Sequence, residues 1–326
     1  MMANTVESSW NSSSAGSTDS ENFHKPVLLV ETINWIEPSE EGFYLDGTVG
    51  GGGHSKLLLD RCKSCRIIAV DQDPQALVAA KTVLESYGDR VSFVHARFDQ
   101  VLDEFPLEGP LSGAILDLGV SSHQLDEDER GFTFRKQATL DMRMDSTNSS
   151  LTTATHILNE APEEELEQIF RDYGEEPRSR KLAHRIVTKR QKTPLLTSDD
   201  LVAVLYTTFK RAPTNREKAR IFQALRIAIN DELGCLERGL ERIRMDLGNG
   251  ASFAVITYHS LEDRIVKRSF REWSRSCICP PKFPICNCRG KALGSVPRSK
   301  GIRPSDLEIQ ENSRARSARL RVWRKA

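Results

Sequence analysis

The sequence predicts an α/β fold: a Rossmann-like, doubly wound parallel sheet carrying an inserted, mostly helical domain. Three observations predict it. Short apolar runs alternate with helical segments up to about residue 119, the signature of strand–helix–strand units. A glycine-rich turn, Asp46-Gly-Thr-Val-Gly-Gly-Gly-Gly-His54, joins the first of these runs to a helix. Between Leu125 and about Gly248 no run of buried-strand type occurs, and then the strand pattern returns.

The elements follow in order. Val27–Ile36 is amphipathic and reads as a helix stopped by Pro38. Gly42–Asp46 reads as a short strand running into the glycines, and His54–Asp60 as the helix after them. Arg66–Asp71 (RIIAVD) is an apolar run suited to a strand buried on both faces. Asp73-Pro74 opens the next helix, aspartate as N-cap and proline at the first helical position. Arg90–Ala96 alternates like a strand, and Gly113–Gly119 is a further buried strand. The insert follows as helices over Pro162–Tyr173, Arg178–Lys192, Ser198–Phe209 and Arg216–Asp246. Ala251–Tyr258 resumes the sheet, Leu261–Trp273 is its helix, and Ala318–Trp323 reads as a last strand. The expected division is a disordered tail over 1–22, a sheet domain over 23–124 and 248–326, and an inserted domain over 125–247.

The chain has 326 residues and a formal net charge of zero, which conceals an asymmetry. Residues 1–170 hold 12 basic and 29 acidic side chains, and residues 171–326 hold 34 and 17. The stretch 264–326 is steepest, at 17 to 4, which fits a phosphate-rich partner such as nucleic acid. Residues 1–22 contain seven serines and no Lys or Arg, a composition without the means to build a core. They also lack the pattern of a signal or transit peptide. No apolar run approaches the roughly 18 residues that cross a bilayer, so no membrane partner is expected. Seven cysteines without a secretion signal read as reduced thiols of a cytoplasmic protein.

The glycine turn has three readings. A phosphate-binding loop needs G-x-x-x-x-G-K-[ST], whereas here His54 and Ser55 precede Lys56. A dinucleotide fingerprint needs a third glycine where Ser55 or Lys56 stands, and Asp46 would face a doubly charged pyrophosphate. S-adenosylmethionine carries no phosphate: a bare backbone can approach its amino-acid end, and Asp46 can attract its ammonium. Asp71, 21 residues after Gly50 at the end of the second strand, suits the ribose hydroxyls. Asp73 is better explained as the helix cap. Phe98 follows the third strand where adenine would lie, or is an ordinary core aromatic. Asp117-Leu-Gly-Val-Ser-Ser-His-Gln124 occupies the tip of the fourth strand, where such folds place their chemistry. Asp117 suits a substrate amino group or the cofactor, or caps the next turn. Gln124 suits adenine or substrate.

Taken together, the segments HKPVLLVET (24–32), DGTVGGGGHS (46–55), DQDP (71–74), DLGVSSHQLD (117–126), RGFTF (130–134), LDMRMD (140–145), YGEE (173–176), FQALRIAINDEL (222–233), ITYHSLEDRIVK (256–267) and SRARSARLR (313–321) resemble the bacterial small-subunit ribosomal RNA methyltransferase H family. They span nearly the whole chain in the family's order. The resemblance implies a class I methyltransferase sheet with a helical insert, S-adenosylmethionine as cofactor, and methylation of the exocyclic N4 of a cytidine in the decoding region of 16S rRNA. The partner it implies is the small ribosomal subunit, and no protein partner is inferable. It also implies cofactor contacts at Gly52, Gly53, His54, Asp71, Phe98, Asp117 and Gln124. The stretch 210–220 (KRAPTNREKAR) departs from the family's usual pattern. A noncatalytic RNA-binding factor on the same fold remains the alternative.

For the reaction, Asp117 is the candidate catalytic anchor. An Asp/Asn-Pro-Pro-aromatic loop is absent from this strand tip, so the ring that stacks on the base must come from elsewhere; Phe132, Phe134 and Tyr258 are candidates, or are core. Asp141, Arg143 and Asp145 either close over the site or pair internally. His259 either faces the cleft or is structural. Arg178, Arg180, Lys181, Arg185, Lys189, Arg190 and Lys192 can line a phosphate path. Cys277, Cys279, Cys286 and Cys288 form two C-x-C pairs that could hold zinc, but the usual C-x2-C spacing is absent, and no metal ligand is assigned. Cys62 and Cys65 read as structural.

Overall fold

The computed structural model describes residues 26–105, 107–280 and 288–326. The expected tail over 1–22 and Cys286 lie outside the described residues. Among these residues the order of elements is α1 (Leu29–Ile36), β1 (Phe43–Asp46), α2 (Gly53–Arg61), β2 (Arg66–Asp71), α3 (Pro74–Leu84), β3 (Val91–His95), α4 (Val101–Glu104), β4 (Leu111–Asp117), α5 (Ser122–Asp126), α6 (Ala154–Glu160), α7 (Glu163–Asp172), α8 (Ser179–Arg190), α9 (Ser198–Phe209), α10 (Asn215–Asn230), α11 (Glu232–Asp246), β5 (Leu247–Thr257), α12 (Ser260–Trp273), β6 (Gly294–Ser295), α13 (Asp306–Glu311) and β7 (Arg319–Lys325).

The strands form one sheet in the order β3-β2-β1-β4-β5-β7-β6. β1 to β5 run parallel, and β7 pairs antiparallel to β5 with Ala254 opposite Val322. The order reverses beside β1, so the tips of β1 and β4 part and leave a crevice between them. Both faces of the sheet are covered, and the strands are apolar on both. Along β2, Ile67 and Ala69 enter one core with α1, α2 and α3, while Ile68 and Val70 enter the other with α11 and α12. That period-2 alternation without a polar face is why RIIAVD reads as a continuous apolar run.

A third core, separate from both, is built by Phe132, Leu140, Met142 and the apolar stripes of α6 to α10. Capping boxes at Thr197 and Thr214 start α9 and α10. The divergent stretch 210–220 is accounted for here: Thr214 receives the Glu217 amide, and Arg211 holds the Glu217 carboxylate at 2.6 Å. The predicted single helix Arg216–Asp246 is two helices, because Asp231 takes a left-handed conformation (φ 50°) that no α-helix continues through. Its carboxylate is held by Arg97 and Arg238 at 3.4 and 2.6 Å. α10 belongs to the helical core, whereas the buried Cys235, Leu236, Leu240 and Ile243 of α11 belong to the core of the sheet. Cys62 and Cys65, expected as reduced thiols, are bonded to each other as a disulfide just after α2; both are buried and their Cα atoms are 5.8 Å apart.

Candidate active site

Three chain segments converge on the crevice. The first is the glycine turn after β1. Asp46 is buried at the strand end, where Ser55 Oγ donates to it at 2.7 Å and the Thr48 amide at 3.3 Å. Burial pushes its carboxyl up to about 6. Gly50 and Gly52 have φ of 50° and 83°, which glycine adopts without a Cβ penalty. A Cβ on Gly53 would overlap the ring of Pro26. Pro26 forms part of the cleft wall, so the bareness at Gly53 lets that wall close down on the turn.

The second segment is the end of β2. Each oxygen of Asp71 accepts one backbone N–H at 2.9 Å, Gly50 on Oδ2 and Asp73 on Oδ1. A carboxylate offers about four acceptor sites, so roughly two remain for a ligand. Burial raises this carboxyl too, to about 6. Asp73 caps α3 as expected, accepting the Gln75 amide at 3.0 Å.

The third is the loop after β4. The Asp117 amide donates to Thr48 Oγ1 at 2.6 Å, tying the β4 tip to the glycine turn. Its Oδ1 accepts the Tyr258 hydroxyl at 2.8 Å, and its Oδ2 lies 3.9 Å from His54 Nδ1. Burial raises the Asp117 carboxyl to about 7; the Tyr258 bond opposes the rise, and the charges of Asp46 and Glu262 add to it. The Tyr258 hydroxyl is itself pushed well above its ordinary value by burial and by Asp117. Gln124 forms a capping box with Ser121 and donates from Nε2 to Asp73 Oδ2 at 2.6 Å. Its amide therefore frames the loop and joins it to the start of α3.

These segments border a cleft of about 740 Å³, part of which is open to solvent. Gly53, His54, Asp71, Asp117 and Gln124 line it, together with Ala76, Gln72, Val120, Met144 and Tyr258. Gly52 sits behind the lining as the N-cap of α2, and Asp46 lies beneath it, held by Ser55. Phe98 is not in this lining: it is buried in the sheet's core, with its ring against Gly239 of α11 and its Cβ beside Gly47 at the start of the glycine turn.

The helical part roofs the cleft with one side chain, Met144, whose sulfur accepts from Gln72 Nε2 at 3.0 Å. Its amide donates to Asn230 Oδ1 at 2.7 Å. Asp141 and Arg143 pair with each other in a two-pronged contact at 2.8 and 2.7 Å, and Asp145 caps the following turn. Phe132 is core, Phe134 packs edge-on against Phe222, and only Tyr258 of the three candidate rings reaches the cleft. His259 is the N-cap of α12 and lies 3.0 Å from Glu262, which is the structural role.

Arg130 carries a role that its sequence motif does not suggest. It is buried, pairs with Asp73 at 2.9 Å, bonds the Gln75 side chain and donates to the Met144 carbonyl at 2.9 Å. One guanidinium thus joins the cap of α3 to the roof. In sequence, an arginine between two acidic residues and a glycine reads as a surface charge.

The charge of the cleft selects among the three ligands. Among the residues lining it none is Lys or Arg, while Asp71 and Asp117 are carboxylates and Asp46 stands behind them. The Gly50 amide, which a phosphate would need, is already given to Asp71. A pyrophosphate would meet carboxylates and no counter-charge. A cationic, phosphate-free nucleoside meets the complement it requires.

The comparisons with known proteins agree. Residues 21–326 match the model of the MraW methylase family. The chain is 47% identical over 309 residues to the ribosomal RNA small subunit methyltransferase H of Heliobacterium modesticaldum, covering 93% of this chain and 98% of that one. It is 46% identical to the protein of that name from Heliobacterium mobile, with the same coverage, and 45% identical to that of Gemmatimonas aurantiaca, covering 93% and 96%. With the strand order, the acidic cleft and this likeness in hand, the chain belongs to the MraW methylase family.

Proposed function

We propose that the chain transfers a methyl group from S-adenosylmethionine to the exocyclic N4 of a cytidine in the decoding region of small-subunit 16S rRNA, in the cytoplasm. The observation that carries the reading is the pair of half-buried carboxylates, Asp71 and Asp117, facing one cleft without a Lys or Arg side chain. Bound there, S-adenosylmethionine supplies an electrophilic methyl on a sulfonium. Asp71 holds the ribose hydroxyls with its two remaining acceptor sites, as its position at the end of β2 suggests. Gly53 and His54 bound the amino-acid end, with Asp46 contributing negative potential from beneath. Ala76, Val120 and Met144 give the apolar walls for adenine.

Asp117 does the remaining work in this reading. Cytosine N4 is a weak nucleophile because its lone pair is delocalised into the ring. An ionised Asp117 accepts an N4 hydrogen, which returns electron density to nitrogen, and then takes the proton as the new C–N bond forms. A carboxyl near 7 suits that exchange at neutral pH, being ionised often enough to accept and basic enough to hold. Tyr258 orients the carboxylate through its hydroxyl and places a ring beside the site. The remainder of the rate comes from holding N4 in line with the methyl.

The division of labour we infer has the sheet and α11 holding the nucleoside, and the helical part over Phe132–Asn230 meeting the RNA. Two cationic surfaces suit phosphate contact. On α8, Arg180, Lys181 and Arg185 are exposed. On α12, Arg264, Lys267, Arg268 and Arg271 fall on one helical face that continues to Arg275. Glu175 and Glu237 pair with Arg264 and Arg268, whereas Lys267, Arg271 and Arg275 make no ion pair among the described residues. Transfer of tritiated methyl to small ribosomal subunits tests the reading. Incorporation into cytidine that is lost with Asp71→Ala supports it, and incorporation that survives this change, or none at all from the intact chain, overturns it.

A further inference from the structure

We propose that Cys277, Cys279 and Cys288 hold a structural zinc ion. Their sulfur atoms all lie within 4.8 Å of one another, although 11 positions separate the first from the last. Zinc with Zn–S bonds of about 2.3 Å places tetrahedral sulfurs roughly 3.8 Å apart, so the cluster needs adjustments of at most about 1 Å. A second feature points the same way. The Ile278 amide, between the first two cysteines, donates to Cys288 Sγ at 3.4 Å. An N–H aimed at sulfur orients a ligand thiol from outside the metal's coordination shell.

The donor set selects the metal. Three thiolates are soft ligands, which suit zinc and not magnesium, calcium or manganese. The other group of possible ligands among the described residues, Glu232, His259 and Glu262, behaves differently. There Arg226 already binds both oxygens of Glu232 at 2.7 and 2.8 Å, so a guanidinium occupies the cation's place.

The position gives the ion a task. The chain leaves α12 at Trp273 and returns beside the same helix end, where the Leu293 amide donates to the Trp273 carbonyl at 2.9 Å. Arg289 adds bonds to the carbonyls of Arg275 and Glu272. A metal joining residues 277, 279 and 288 closes this excursion into a ring next to the cationic face of α12. None of the three cysteines lines the cleft, so the ion is structural and takes no part in methyl transfer.

The full chain, purified from cells grown with zinc and passed through a desalting column, tests the assignment by elemental mass spectrometry. About one zinc per chain is expected, falling at least fivefold in each of Cys277→Ser, Cys279→Ser and Cys288→Ser. Each variant should still bind S-adenosylhomocysteine, which shows that it folds. Should a variant fail to fold, the intact chain decides: cobalt exchange should give the absorption of a tetrahedral thiolate site. Chelation should also increase hydrogen exchange in residues 274–293 and leave the cleft unchanged. A metal-free chain after growth in zinc overturns the proposal, as does a disulfide between any two of these cysteines in the folded protein under reducing conditions. Zinc that stays at one per chain in all three variants overturns it equally.

Discussion

Replacing Tyr258 by phenylalanine isolates one hydrogen bond and tests the role assigned to Asp117. The Tyr258 hydroxyl donates to Asp117 Oδ1 at 2.8 Å, and burial has already raised that carboxyl to about 7. A hydrogen bond to a charged acceptor contributes about 1.5–3 kcal/mol, and one pH unit corresponds to about 1.4 kcal/mol. Without the donor the ionised form is less favoured, so the Asp117 carboxyl rises by roughly one to two units. The ionised form is the one that accepts the proton, so activity is present above this pKa and lost as pH falls through it. The acid limb of kcat/KM for S-adenosylmethionine, which reports the free enzyme, should therefore move to higher pH by the same roughly one to two units. At pH 7 the variant should be slower by about 5- to 50-fold, with most of the loss recovered near pH 9.5. Methyl transfer to small ribosomal subunits, measured from pH 5.5 to 9.5, is the assay. A limb that stays where the unaltered protein has it would refute the reasoning. So would a loss of the same size at every pH, because that reports damaged packing and not a shifted proton.

Four further outcomes are expected. Affinity for S-adenosylhomocysteine, measured by isothermal titration, should weaken as pH falls through about 6, because its hydroxyls and ammonium require Asp71 and Asp46 ionised; a flat profile between pH 5 and 8 contradicts this, and NADH should not bind at any of these values. Asp71→Asn should weaken the same titration roughly 10- to 100-fold through loss of charged hydrogen bonds. Arg130→Met leaves Asp73 buried without its cation, and urea denaturation should show a loss of about 3–5 kcal/mol. Alanine at Lys267, Arg271 and Arg275 together should raise KM for ribosomal subunits and flatten the salt dependence by a log–log slope of roughly 0.7 for each phosphate no longer neutralised, with nucleoside binding unchanged.

Much of the sheet is legible in the sequence because its strands are buried on both faces. Arg66–Asp71 shows this best: four consecutive buried residues leave no polar alternation to confuse strand with loop. The Asp73-Pro74 start of α3 and the capping box of α9 are also legible, since both depend on side chains a few residues apart. The break at Asp231 is not, because neither glycine nor proline marks it; its conformation rests on arginines 134 positions before it and seven after it. α5, α6 and α13 are too short to show a period. In the cleft, Asp71 and Asp117 are visible as acids at strand ends. The place of Phe98 is not legible, because an aromatic after β3 looks the same whether it faces a ligand or a helix glycine, and the packing of α11 is what positions its ring. The bond between Tyr258 and Asp117 spans 141 positions and has no local signal.

Asp231 has one more implication. The last helix of the roof passes into a helix clamped on the sheet through this single residue, with no slack between them. A flexible connection would allow the roof to flap; an elbow of one peptide transmits torque instead. To swing open, the roof would have to lever Leu236 and Leu240 out from under the strands. Any movement of the roof at this end is therefore coupled to the seating of α11 on the sheet.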